Sequence, residues 1–454
     1  MEAGSLSRRQ LLSGAALAAA ALGSAGPAAV HAAEEPADQI KINLVYQALV
    51  RRQFDGSPAR MEQVRVRSIS GRQVLVRCTA VQCCYSDVST VLGGVLARRR
   101  ALPGQRPNVA GHQGIGVVEA VGPAVRSVRT GDKVYINVTA NCGWCYNCVR
   151  GRADACMANR IPSPVIGELM DGTPVTQDEG GGGIGGLSEY TVNYEERLTP
   201  VFTPVSPEEM SVMNCVGSTG LGMACTLNPI LSGSNVVVFG AGPIGLSAIQ
   251  GAKIQGATRI ISVEPIAMRR QMALKLGATD ALDPNQYGDK LVAQLRDMTR
   301  RGPIDRIFSG GRELSSSAFG FSADGPDYVF EAVGRQQRTP TVEQGPDPTG
   351  IQALEQVWDL VPPGGYGYTT GFGYHPDDVV KLNAGIFANG SKTMISSQNG
   401  GTQARRDLPR FTQLIADGKF DAKSLISHVY PFKDIAKAYQ EVADRTVIAN
   451  VITL

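Results

Sequence analysis

A short apolar run ending in a glycine-rich turn constrains this chain more than any other feature. Asn235-Val236-Val237-Val238-Phe239 reads as a buried parallel strand, and it feeds Gly240-Ala241-Gly242-Pro243-Ile244-Gly245 at the start of a helical stretch. The glycine pattern alone is weak evidence, but a second run, Arg259-Ile260-Ile261-Ser262-Val263, follows at strand–helix–strand spacing and ends in Glu264. Glycines in that turn let the backbone approach a diphosphate at a helix N-terminus, and a carboxylate about 20 residues on accepts both ribose hydroxyls. The site residues expected for a dinucleotide are therefore Gly240, Gly242, Pro243, Ile244, Gly245, Glu264 and Arg269. A carboxylate at 264 repels a 2′-phosphate and favours NAD, while Arg269 and Arg270 leave NADP open. The alternation continues through residues 327–334, a helix near 351–360 and a strand near 366–371, which predicts an α/β, doubly wound sheet.

Four of the nine cysteines, Cys142, Cys145, Cys148 and Cys156, crowd into fifteen residues. Four thiolates this close suit one tetrahedral zinc ion, with two-residue spacers turning each sulfur inward. Two disulfides or an iron–sulfur cluster would also consume four cysteines, but cysteines two residues apart bridge poorly. A closed four-cysteine site has no open position for substrate, so its zinc is expected to be structural.

A catalytic zinc needs three protein ligands and one open position. Past the N-terminal segment the chain has three histidines, His112, His375 and His428, and His112 lies in Ala110-Gly111-His112-Gln113-Gly114-Ile115-Gly116-Val117-Val118-Glu119-Ala120-Val121-Gly122. This stretch, with Ala80-Val81-Gln82-Cys83-Cys84-Tyr85-Ser86-Asp87 before it and Cys215-Val216-Gly217-Ser218-Thr219-Gly220 after it, resembles the zinc-dependent medium-chain alcohol dehydrogenases over nearly all of residues 40–454. The resemblance assigns Cys84, His112 and Cys215 to the catalytic zinc, with Cys83 on an apolar position beside the ligand. It makes Ser86 the hydroxyl that relays the alcohol proton, Asp87 the carboxylate orienting the imidazole, and Thr219 a residue packed on the nicotinamide. Cys78, Cys83 and Cys225 are left as small hydrophobes, and His428 as a structural residue. Tyr85 and Val138 suggest a partly apolar substrate pocket. The family fold implied is a Rossmann domain plus a mostly β, GroES-like catalytic domain, divided here as 40–216 (catalytic), 217–388 (NAD-binding) and 389–454 (catalytic, return segment).

This chain departs from the family pattern at four positions. Tyr85 stands where a basic residue often holds the diphosphate, Ser89 where a relay histidine is usual, Gln113 where a glutamate follows the zinc histidine, and Ala449 where an arginine often aids the diphosphate. Fewer basic contacts imply that the cofactor is held by other means. Two segments, 309–326 and 335–350, exceed the family pattern and read as surface loops. The second lies where the glutathione-independent formaldehyde dehydrogenase and aldehyde dismutase branch covers its cofactor; a subunit contact is the alternative.

Residues 1–33 read as a twin-arginine export signal, from Ser7-Arg8-Arg9-Gln10-Leu11-Leu12 through an Ala-rich stretch to Val30-His31-Ala32, with an uncleaved anchor as the alternative. Export predicts a periplasmic or extracytoplasmic location, where free NAD is scarce. A retained cofactor would then be recycled by a second substrate, as in dismutation, or by an external electron acceptor. A net charge of +3 indicates no nucleic-acid partner, and the run Arg98-Arg99-Arg100 reads as a solvated loop. No later segment is apolar and long enough to span a membrane. The expected protein is an alcohol- or aldehyde-converting enzyme with two zinc ions and NAD per chain, forming a homodimer or homotetramer. An aldehyde dismutase with retained NAD and a non-enzymatic zinc-containing module are the alternatives.

Overall fold

The structure, a computed structural model, describes residues 38–94, 105–160, 164–177, 184–300, 324–371, 373–374 and 377–454. The export signal, the Arg98-Arg99-Arg100 run, His375 and residues 309–323 lie outside the described residues.

The sheet expected from the two apolar runs has six parallel strands. In spatial order they are Asp280–Leu282, Arg259–Val263, Asn235–Phe239, Tyr328–Glu331, Tyr366–Thr369 and Thr393–Ser396. Chain order reverses beside Asn235–Phe239, which pairs with Arg259–Val263 on one side and Tyr328–Glu331 on the other. That is the switch point at which doubly wound sheets bind nucleotides, outside the carboxyl ends of the strands. Val236, Val237 and Val238 are all fully buried because this strand is covered on both faces, so its apolar residues run continuously instead of alternating. Each such side chain contributes roughly 1.5–3 kcal/mol by leaving water.

The rest of the chain is β-rich. Gln39–Arg51, Arg60–Ser70, Val165–Leu169, Pro174–Gln177 and Asn108–Val109 close into a small barrel. A second sheet runs Leu198–Pro200, Lys133–Ile136, Gly114–Val121, Gln73–Gln82, Ala449–Thr453 and Ile426–Pro431, with Tyr190–Tyr194 also on Gln73–Gln82. Its last two strands come from the C-terminus, and Ala449–Thr453 pairs antiparallel with the strand that leads into Cys83 and Cys84. The catalytic half is thus discontinuous, as the resemblance implied.

One expected boundary moves. Thr393–Ser396 pairs in parallel with Tyr366–Thr369 and completes the nucleotide-binding sheet, so the return segment begins after Ser396 and not at 389. The four residues Thr-Met-Ile-Ser at a sheet edge carry too little periodicity to be read as a strand. Among the described residues, no helix is long and apolar enough to cross a membrane.

Candidate metal centres and nucleotide cleft

Cys84 ends the strand Gln73–Gln82 two residues on, at the entry to the 3-10 turn Tyr85–Asp87. His112 precedes Gly114–Val121 on the neighbouring strand. Cys215 arrives from elsewhere in the chain, in the π-helical turn Met213–Gly217 between two α-helical segments. Widened turns of this kind recur at functional sites because they re-aim one side chain. The three donor atoms lie within 4.8 Å of one another, and Cys215 Sγ is 3.5 Å from His112 Nε2. Tetrahedral zinc, with sulfur at about 2.3 Å and imidazole nitrogen at about 2.0–2.1 Å, sets an S···N separation of about 3.5–3.6 Å. The residues fit the metal.

Around them the chain supplies orientation and negative charge. Asp87 holds His112 Nδ1 at 3.0–3.1 Å, which leaves Nε2 for the metal, and the buried Tyr439 hydroxyl donates to Asp87 at 3.5 Å. A hydrogen bond from Cys215 holds the Cys84 thiol well below its usual range against the opposing effect of burial, with help from His112 and Ser86. Burial resists a charged His112 imidazole, yet Asp87 and Cys84 outweigh it and raise its pKa. The same hydrogen bond, together with burial, pushes the Cys215 thiol up in return. Ser86 Oγ donates to Cys84 Sγ at 3.2 Å. Gln113, the departure beside His112, donates to the Gln82 carbonyl and side chain and leaves its own Oε1 unpartnered in the interior.

The second metal group is formed by Cys142, Cys145, Cys148 and Cys156, all buried. Cys142–Cys148 and Cys145–Cys156 sulfurs are each 3.9 Å apart, close to the roughly 3.8 Å edge of a zinc–sulfur tetrahedron and far beyond bonding distance. All nine cysteines are free, which removes the disulfide alternative. Burial opposes ionisation of Cys145, but a donor from the Met157 backbone and the neighbouring thiols bring its pKa down to about 6. Cys78 and Cys83 are buried as apolar fillers, and Cys225 is half-buried.

Cys84, Tyr85 and Ser86 form one wall of a cleft whose other wall is Gly240, Gly242, Pro243, Ile244, Glu264 and Arg269. A side chain at Gly245 would overlap the Gly240 carbonyl, whereas one at Gly242 would project into space with only Arg269 Nη1 near it, at 3.9 Å. That opening is the close approach a diphosphate needs above the helix Pro243–Ile254. Glu264 is 4% exposed and accepts from the Ala241 and Ile266 backbones at 2.7 and 3.0 Å, so it is fixed at the strand end with lone pairs left for ribose hydroxyls. The donor set fits a dinucleotide.

The Thr219 hydroxyl donates to Asn399 at 2.8 Å, and Val216, three residues before it, lines the cleft. Tyr85 lines the cleft, and its hydroxyl accepts the backbone N–H of Gln337 at 2.9 Å. His428 pairs with Glu441 on an exposed strand, a structural role as expected. Sequence reasoning missed the contacts of segment 335–350. From the nucleotide-binding half it reaches across to the catalytic half. Gln337 Nε2 donates to the Tyr85 carbonyl at 2.8 Å, Gln337 Oε1 accepts from Ser89 N at 3.2 Å, and Arg338 donates to the Leu92 and Gly93 carbonyls at 2.8 Å. Thr341 N donates to the Asp444 carbonyl at 3.2 Å, while Gly345, Pro346, Asp347 and Pro348 line the cleft. The segment straps the two halves together. It also missed Arg445, which lines the same cleft.

Residues 70–203 match the model of the alcohol dehydrogenase GroES-like domain, and residues 243–344 match that of the zinc-binding dehydrogenases. A geraniol dehydrogenase of Castellaniella defragrans is 35% identical over 274 residues, covering 58% of this chain and 70% of the relative. A crystal structure of benzyl alcohol dehydrogenase from Acinetobacter calcoaceticus superposes with a TM-score of 0.70 at 22% identity, covering 90% of this chain and 99% of that one. A zinc-binding alcohol dehydrogenase domain protein from Burkholderia ambifaria gives 0.71 at 25% identity, with 92% and 100% covered.

Proposed function

The chain belongs to the zinc-dependent medium-chain alcohol dehydrogenase family, and from that premise we propose that it interconverts an alcohol and an aldehyde or ketone with NAD as hydride partner. One observation carries the reading. A single cleft brings the zinc ligand Cys84 and the hydroxyl of Ser86 against the glycine turn and Glu264 of the nucleotide site. When bound, zinc supplies Lewis acidity toward an alcohol or carbonyl oxygen, and the nicotinamide accepts or supplies hydride. Cys84, His112 and Cys215 hold the metal, and Asp87 fixes the imidazole tautomer. Ser86 Oγ, both donor and acceptor, takes the proton of a substrate hydroxyl and passes it on; with Ser89 in place of an imidazole, solvent is the next acceptor. Glu264 supports NAD over NADP, although a Sinorhizobium meliloti dehydrogenase of the same fold was crystallised with NADP. The names of the geraniol and benzyl alcohol enzymes suggest an allylic or benzylic primary alcohol as the first substrates to try.

A second reading, a cycle with retained NAD as in aldehyde dismutation, is supported by the strap 335–350 over the cleft. It accords with export by the twin-arginine route, which we propose from residues 1–33. We also propose a homodimer or homotetramer. Among the described residues, Thr393–Ser396 is the edge of its parallel sheet, with exposed Val379, Leu382 and Phe387 in the segments leading to it. Light scattering tests the oligomer. Denaturing fresh protein and assaying the supernatant for NAD and NADH tests retention; an empty supernatant excludes the dismutase cycle.

A further inference from the structure

We infer that Arg445, held over the ring of Tyr85, supplies the positive charge for the cofactor diphosphate that this chain lacks at positions 85 and 449. The inference rests on the reading of the cleft as a dinucleotide site. The two positions where a basic residue was expected hold Tyr85 and Ala449, and a dinucleotide still brings two negative charges to the glycine turn. Helix N–H groups alone leave that charge partly uncompensated.

Arg445 has four properties that fit the role. It lines the cleft together with Gly242, Pro243, Arg269 and Tyr85. It stands just past the helix Ile435–Asp444 with φ 59° and ψ 22°, a left-handed conformation that helix ends usually assign to glycine. Placing an arginine there costs stability, and that cost is consistent with a side chain that is used. Its guanidinium carbon lies 5.3 Å from the centroid of the Tyr85 ring, so the aromatic face aims it without neutralising it. Among the described residues, no salt bridge joins Arg445 or Arg269 to a carboxylate, Glu264 acts on Arg269 only through space, and the buried Arg269 Nε has no partner.

Arg269 is the near neighbour on the other side. Its Nη2 donates to the Val447 carbonyl at 3.2 Å, and Nη1 faces Gly242. Desolvation lowers its pKa and the Arg445 charge adds to that, with Glu264 opposing. Glu264 itself is held by the Ala241 and Ile266 backbones, which donate to it. Among the described residues, two guanidiniums therefore line the cleft at the glycine turn with Glu264 acting on Arg269 through space, and a dianionic diphosphate would complete the balance of charge there. Tyr85 serves twice, since its hydroxyl accepts from the strap while its face carries Arg445. Strap position and diphosphate charge are thereby joined through one side chain.

The test uses the full, zinc-loaded chain, freed of nucleotide in high salt, with NADH fluorescence and titrations of ADP and adenosine. Arg445→Gly suits the backbone at this position, so the fold survives and thermal stability is unchanged or higher. The variant is expected to weaken NADH and ADP binding about 10- to 100-fold, as loss of a charge-assisted hydrogen bond does, and to flatten the salt dependence of both. Adenosine, which has no phosphate, should bind the variant and the parent alike. Arg445→Lys should recover part of the loss, and Tyr85→Leu should reproduce part of it. Equal ADP affinity and equal salt dependence in parent and Arg445→Gly would overturn the assignment, as would an equal loss for adenosine. A parent protein that binds neither NADH nor ADP would instead overturn the underlying reading of the cleft.

Discussion

Cutting the strap at Gln337 should loosen the cofactor without unfolding the protein. The Gln337 side chain makes two of the crossing bonds, to the Tyr85 carbonyl and from the Ser89 backbone, at 2.8 and 3.2 Å. Gln337→Ala removes both and leaves the N–H of Ser89, a residue only 8% exposed, without its acceptor. Hydrogen bonds of this kind contribute about 1 kcal/mol each net, so the closed strap loses about 2 kcal/mol, or about thirtyfold in its closing equilibrium. The backbone bond from Gln337 to the Tyr85 hydroxyl and the Arg338 contacts remain, so the strap opens more often and is not lost. If strap opening gates release, the rate of NADH displacement by excess NAD in stopped flow rises by roughly the same factor. Substitution at the exposed Glu343, on the same segment, serves as the control for general loosening. A displacement rate within twofold of the parent for Gln337→Ala would refute the strap as a gate.

Three further outcomes test the metal site. Cys84→Ala should drop zinc content from about two to about one per chain, whereas Cys83→Ala should keep both ions; elemental analysis separates them. Asp87→Asn should cost about 10- to 100-fold in zinc affinity or turnover by releasing His112, read from chelator competition at fixed pH. Ser86→Ala should lower kcat by about 10²- to 10⁴-fold while leaving NADH binding within twofold, because the hydroxyl moves a proton and does not hold the nucleotide.

The parts legible in the sequence were those carried by short, local patterns. Residues 235–245 and 259–264 announced the central strands because strand, turn and carboxylate follow within thirty residues. The four-cysteine lobe was equally local, and its disulfide alternative fell only to the sulfur separations. Cys84, His112 and Cys215 are distant in sequence, and motif resemblance, not spacing, selected them; the choice of Cys84 over Cys83 agrees with the side each thiol faces. What sequence could not yield depends on contacts across some 250 residues. Gln337 meets Tyr85 only because two domains fold against each other, and no local pattern encodes that meeting. Arg445 was hidden for a different reason. It reads as an ordinary residue at the end of an amphipathic helix, and its left-handed backbone and the tyrosine beneath it exist only in three dimensions. The bond from the Thr219 hydroxyl to Asn399 is likewise a contact that residue order does not fix.

The most direct test of the central claim is nicotinamide absorbance on mixing the zinc-loaded chain with NAD and a panel of primary alcohols that includes geraniol and benzyl alcohol, in parallel with Cys84→Ala. NADH is expected to form with at least one alcohol in the parent and to be abolished in the variant. NADH formation undiminished in Cys84→Ala, or none with any alcohol and none consumed with any matching aldehyde, would contradict it.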